Sequence, residues 1–86
     1  MFYCYILYSP KLDKYYIGST NNIEGRLQRH NSSNRGFTST GKPWELKYYE
    51  SFETRSEALE REMQLKKMKN RSFLEELISK KENRGI

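Results

Sequence analysis

Phe2-Tyr3-Cys4-Tyr5-Ile6-Leu7-Tyr8-Ser9-Pro10, followed after a short turn by Lys14-Tyr15-Tyr16-Ile17-Gly18-Ser19, is the passage that decides the fold. Residues 2 to 8 are aromatic or aliphatic and carry no charge. A short apolar run stopped by Ser9-Pro10 reads as a buried strand. Lys11-Leu12-Asp13 supplies the turn, and residues 14 to 19 read as a second strand returning antiparallel to the first. Side chains alternate across a strand, so Tyr3, Tyr5 and Leu7 share one face while Cys4 and Ile6 share the other.

Outward from this hairpin, Asn21 with Glu24 three residues later forms a capping box that opens a helix. Ile23 and Leu27 mark its buried stripe, and Arg26 and His30, also four apart, mark a neighbouring one. Residues 31 to 43 are small and polar apart from Arg35, Phe37 and Lys42 and read as a long loop, of the kind that is usually functional or mobile. Trp44 to Phe52 reads as a third strand. Thr54 and Glu57 open a helix over about residues 56 to 69, and Ser72 with Glu75 opens another through Phe73, Leu74, Leu77 and Ile78. The order is β-β-α-β-α-α. It predicts an α+β domain: a small, three-stranded, mainly antiparallel sheet flanked by three helices. One domain is expected over residues 1–81, with residues 82–86 a frayed tail.

At 86 residues the chain has a small core, since a domain near this size buries only about 60% of its unfolded surface. Seven Tyr, four Phe and one Trp supply large side chains for that core. Sixteen Lys and Arg against eleven Asp and Glu give a net charge of +5, which suits a polyanionic partner. Cys4 is the single cysteine, so no internal disulfide forms and a reducing, cytoplasmic setting is expected. Cys4 itself reads as a small buried hydrophobe. Met1-Phe2-Tyr3-Cys4-Tyr5 contains no basic n-region and soon meets Pro10 and Lys11, so it is not expected to be a signal peptide. No apolar run reaches the roughly 18 residues that would span a membrane.

One helix carries a local conflict. Ala58, Leu59, Met63, Leu65 and Met68 define an apolar arc, and Glu62 projects into its middle. A carboxylate facing a core must be paired, bound to metal or protonated. Lys66 is placed at i, i+4 to pair with it, so a salt bridge and a metal site are both open.

The chain resembles the GIY-YIG nuclease superfamily, and in particular its short stand-alone bacterial members. The likeness is carried by Tyr5-Ile6-Leu7, Tyr16-Ile17-Gly18-Ser19-Thr20, Arg26-Leu27-Gln28-Arg29-His30-Asn31, Pro43-Trp44-Glu45-Leu46 and Arg55-Ser56-Glu57-Ala58-Leu59, in that order and spacing. Of the first tripeptide, Tyr3-Cys4-Tyr5, only the tyrosine matches the family name.

The resemblance implies a metal-dependent endonuclease that hydrolyses DNA phosphodiester bonds with activated water, in repair, recombination or processing. Tyr5, Tyr16, Arg26, His30 and Glu62 would be its catalytic residues. Glu62 would be the metal ligand, holding one Mg²⁺ (or Mn²⁺) per active site; a single carboxylate suits an ion that keeps most of its water. Arg26 would contact the scissile phosphate through its planar fork. The general base stays open among Tyr5, Tyr16 and His30: a free phenol titrates near 10 and needs help at neutral pH, whereas histidine titrates near 6.5. Gly18, Ser19, Arg35, Thr38, Lys42 and Lys66 are candidate nucleic-acid contacts. The partner would be DNA, single-stranded, duplex or branched, with no membrane role. The protein would be a monomer or weak homodimer, with room for a protein partner. The alternative is a catalytically silent or partner-dependent nucleic-acid-binding module.

Overall fold

The computed structural model describes residues 1–32, 37–68 and 70–84; Arg35 and Lys69 lie outside the described residues, as does the side chain of Thr38. Strands β1 (Phe2–Ser9), β2 (Lys14–Thr20) and β3 (Glu45–Phe52) form one antiparallel sheet in the order β2-β1-β3. Helices α1 (Ile23–Ser32), α3 (Arg55–Met68) and α4 (Arg71–Arg84) pack around it, and a four-residue helical turn, α2 (Phe37–Thr40), follows α1. The expected α+β order therefore holds, with α2 as an addition inside the segment read as loop.

Strand β1 is central, which accounts for its uncharged composition: a middle strand packed on both faces has no side facing water. One face buries Cys4 and Ile6 with Ile17, Leu65, Leu74 and Ile78, under α3 and α4. The other buries Tyr5 and Leu7 with Trp44, against Tyr16, Leu27 and Leu46. The alternation read from the sequence thus separates two cores, one on each side of the sheet. The Cys4 thiol is pushed up to about 12 by burial and then by the Glu50 and Glu62 carboxylates, so it is an inert core group.

The hairpin closes through Asp13 at φ 54°, a left-handed conformation that aspartate tolerates. Its N–H donates to the Ser9 carbonyl at 2.7 Å. The buried Ser9 hydroxyl accepts from the Leu12 N–H and donates to the Gly41 carbonyl at 2.6 Å, which ties the segment before β3 to the end of β1.

Two caps differ from expectation. Asn22, not Asn21, caps α1, its Oδ1 accepting from the Gly25 N–H at 3.1 Å, while Thr20 braces the Asn22 N–H. Either asparagine suits a cap, and the Thr20 contact selects the second. Helix α4 opens at Arg71 because Asn70 Oδ1 accepts from the Ser72 and Phe73 N–H groups, so Ser72 and Glu75 form no box. The Thr54–Glu57 box is present, with donation from each backbone N–H to the other's side chain at 3.3 Å. Helix α4 continues to Arg84, past the expected boundary at residue 81.

The apolar arc on α3 is narrower than the sequence suggested. Ala58 and Leu65 are buried, whereas Leu59, Met63 and Met68 are exposed. The helix meets the sheet along one stripe through Ala58, Arg61, Glu62 and Leu65. Arg61 forks onto Glu50 of β3 at 2.9 and 3.0 Å, and Glu62 lies on the β2 side of the same stripe.

Candidate active site

The site gathers at the Thr20 end of β2, where that edge strand pairs with the start of β1. Tyr5 stands opposite Gly18 in the register, and Cys4 opposite Ser19. A Cβ built on Gly18 would lie 2.5 Å from the Tyr5 hydroxyl oxygen. Gly18 therefore seats Tyr5: without a Cβ it lets a neighbouring strand's side chain approach closely, and the phenol ring fills that space. Any larger residue would push that ring out of place.

Helix α1 brings His30 onto the same face. The Tyr5 hydroxyl and His30 Nε2 are 3.3 Å apart, and both side chains are buried. Tyr16, half-buried, packs edge-on to His30 with ring centroids 4.7 Å apart and stacks along Tyr5 at 6.5 Å. Trp44 closes the cluster, 6.1 Å from Tyr16 and 6.5 Å from His30. Asn31, the residue after His30, clamps Trp44 from both sides: its Oδ1 accepts from the Trp44 N–H at 2.6 Å and its Nδ2 donates to the Trp44 carbonyl at 3.1 Å. Gly41 lies flat against the Trp44 ring, where a Cβ would come within 2.6 Å of it. Sequence reasoning missed Asn31 and Trp44 as supports for His30, because their contact joins segments thirteen residues apart.

The electrostatics sort the tyrosine from the histidine. Burial drives the Tyr5 phenol well above its ordinary value, the neighbouring Tyr16 and the Glu62 carboxylate add to this, and Arg26 opposes it by charge and hydrogen bonding. Tyr5 therefore stays protonated. His30 is shifted down, first by burial and then by the Arg26 charge, so it is neutral at pH 7. In the tautomer that carries its hydrogen on Nδ1, a neutral His30 accepts the Tyr5 O–H at Nε2. Arg26 acts on both partners and so belongs to the same centre.

Glu62 approaches from α3 on the opposite side of β2. Its Oε1 accepts from the Ser19 hydroxyl at 2.7 Å and its Oε2 from Lys66 Nζ at 2.6 Å. The Lys66 pairing anticipated from the i, i+4 spacing is present, and it does not exclude the metal role. The Glu62 side chain retains 16% exposure, and each oxygen has one protein partner among the described residues. A carboxylate with free lone pairs, a neighbouring hydroxyl and access to water fits a hard divalent ion that keeps most of its own water. Among the described residues there is no group of three or more His, Cys, Asp or Glu that could hold a metal, so any ion would rely on Glu62 with water and substrate.

The five catalytic candidates thus fall into two groups on either side of one strand: Tyr5, Tyr16, His30 and Arg26 on the α1 side or at the strand end, and Glu62 on the α3 side. Gly18 and Ser19 are the consecutive residues that join them. Of the candidate nucleic-acid contacts, Ser19 orients Glu62 and Lys66 is engaged by it. Lys42 lies between Gly41 and Trp44, before the cis bond to Pro43. Arg71, in the basic stretch after α3, is held instead by Asp13 at 2.6 Å and Glu75 at 3.2 Å.

Residues 1–82 match the model of the GIY-YIG catalytic domain. A UPF0213 protein of Bacillus licheniformis is 38% identical over 85 residues, covering 98% of this chain and 86% of that protein. A UPF0213 protein of Clostridium perfringens is 38% identical over 81 residues, covering 93% and 86%. The solution NMR structure of a UPF0213 protein from Bacillus halodurans superposes with a TM-score of 0.56 at 29% identity, covering 92% of this chain and 84% of that one. No helix among the described residues is long and apolar enough to cross a membrane.

Proposed function

The chain belongs to the GIY-YIG catalytic domain family, and from that premise we propose that it is a metal-dependent endonuclease that hydrolyses DNA phosphodiester bonds with water. The observation that carries this reading is the convergence on Gly18-Ser19 of a protonated phenol, a neutral buried imidazole, an arginine and a partly exposed carboxylate.

A bound divalent ion would neutralise charge on the phosphate and assist the leaving oxygen. Glu62 would hold it, kept in position by Ser19. Arg26 would meet the phosphate and offset the charge that develops on it. His30 is the proton sink, because its lowered pKa leaves it unprotonated at neutral pH. Tyr5 passes the proton: its hydroxyl accepts one from water as it gives its own to Nε2. That relay never requires a free phenolate. Tyr16, edge-on to His30 and less buried than Tyr5, orients the water. The burial of Tyr5 and His30 keeps the transferred proton out of bulk solvent.

The test is cleavage of single-stranded, duplex and branched DNA with Mg²⁺ or Mn²⁺, by wild type and Glu62→Gln. Metal-dependent cutting that falls by on the order of 10³-fold in the variant supports the reading. Equal binding by both proteins with no cutting would sink it and return Glu62 to half of a salt bridge, leaving a nucleic-acid-binding module.

A further inference from the structure

Two hollows meet at the Thr20 end of β2. The smaller, about 60 Å³, lies between Ser19, Arg26 and Arg55, and the larger, about 210 Å³, lies between Asn22, Arg26 and Arg29. Thr20, Asn21 and Arg26 line both, so they form one continuous polar groove. It runs from the first residue of α3, across the end of the strand, to the second turn of α1.

The three arginines along this groove share one property. None of them pairs with a carboxylate among the described residues, whereas Arg61, Arg71 and Lys66 all do. Two acids of α3 are already engaged: Glu57 in the Thr54 cap and Glu62 with Ser19 and Lys66. Arg55 also sits in the first turn of α3, where the helix dipole is already positive and a cation is unfavourable. Its guanidinium lies over the Phe2 ring, 5.5 Å from the centroid, which orients the group without neutralising it. Arg26 and Arg29 are i, i+3 neighbours on α1 and project from adjacent positions. A row of three uncompensated guanidinium groups, with hydroxyl and amide side chains between them, is built to receive a row of anions.

We propose that Arg55 and Arg29 bind the phosphates on either side of the one at Arg26, so that the substrate strand lies along this groove. The assignment rests on the nuclease reading for the role of Arg26 and adds a path to it. The ligand is a phosphodiester backbone of at least three successive phosphates, recognised by charge and fork geometry and not by base.

The experiment measures binding of a labelled oligonucleotide in EDTA by fluorescence anisotropy across a salt series. It compares wild type, Arg55→Gln, Arg29→Gln, the double variant and Arg55→Lys, with Lys47→Gln as a control on β3. Deoxyribose and ribose versions of the oligonucleotide serve as parallel arms. Each glutamine variant is expected to weaken binding and to reduce the slope of log affinity against log salt by roughly 0.7–0.9. The double variant loses about twice that, while Arg55→Lys restores slope and Lys47→Gln leaves it unchanged. With metal present, the single variants raise KM and leave kcat near wild type. Wild-type binding and slope in the double variant would overturn the groove and leave the nuclease reading standing. Wild type that binds with the expected slope changes but never cuts would support the groove and remove the nuclease reading. No binding of either oligonucleotide by wild type would overturn the groove.

Discussion

The two ends of strand β2 treat arginine in opposite ways. At the Lys14 end, Arg71 is saturated: it meets the Asp13 carboxylate at 2.6 Å, the Asp13 carbonyl at 3.0 Å and Glu75 at 3.2 Å, and it lies over the Tyr15 ring. Tyr8 adds a hydrogen bond to the same Asp13 carboxylate and Tyr15 one to Glu75. At the Thr20 end, the other end of the seven-residue strand, Arg26, Arg29 and Arg55 have no carboxylate partner among the described residues. The same side chain is a fastener at one end, docking α4 to the hairpin turn, and an unspent charge at the other. The difference shows that the chain can neutralise its arginines locally and does not do so where the site lies.

Among substitutions of residues that bring no catalytic side chain, the comparison is broken most severely by Gly18→Ala. The new methyl group would collide with the Tyr5 hydroxyl, so the ring must move and the Tyr5–His30 contact must open. Cleavage is expected to fall by roughly 10²-fold, as displacements near 1 Å do, while circular dichroism reports a retained fold. Unchanged cleavage would show that the seating of Tyr5 is irrelevant to the reaction.

Lys66→Met sharpens the comparison on the α3 side. Lys66 now occupies one oxygen of Glu62 and competes with any metal ion there. Removing an exposed ion pair of this kind is worth at most about 1 kcal/mol, so Mn²⁺ affinity measured calorimetrically should rise by up to about fivefold. Weaker metal binding in this variant would mean that Lys66 holds Glu62 in the binding geometry.

The smallest expected effect is on stability against pH. His30 has a folded pKa below its ordinary 6.5, so the unfolded chain takes up a proton before the folded one does. Its contribution is complete above pH 6.5 and is lost as pH falls through the lowered folded value. Thermal melting should therefore drop on acidification below 6.5, and less so in His30→Gln. The lowered carboxyl of Asp13, held down by Arg71 and Tyr8, adds an acid loss at the other end of the strand that both proteins share. Parallel melting curves would assign the whole effect to carboxylates.

Much of this was legible before any coordinates. The uncharged run at residues 2 to 8 implied a buried strand, and its alternation placed Tyr5 and Cys4 on opposite faces. Thr54 and Glu57 fixed the start of α3, and the i, i+4 spacing gave the Glu62–Lys66 pair. What escaped depended on long-range register. The pairing of Cys4 with Ser19 is what brings the Ser19 hydroxyl under Glu62, and no local pattern encodes it. The Asn31–Trp44 clamp likewise appears only once the end of α1 meets the start of β3. The exposure of Leu59, Met63 and Met68 was hidden because apolar residues alone do not say how narrow a helix's contact stripe is. No local pattern sets Arg55 and Arg29 apart from the other helix cations; only the groove lining puts them in line with Arg26.

The most direct measurement pairs Arg26→Gln with Arg71→Gln and records DNA cleavage and thermal stability for each. The expected result is a double dissociation. Arg26→Gln melts like wild type and loses cleavage by on the order of 10²–10³-fold. Arg71→Gln melts lower, by an amount that shrinks at high salt, and cleaves like wild type. Full cleavage by Arg26→Gln, or loss of cleavage by a folded Arg71→Gln, would contradict the division between the two ends of the strand.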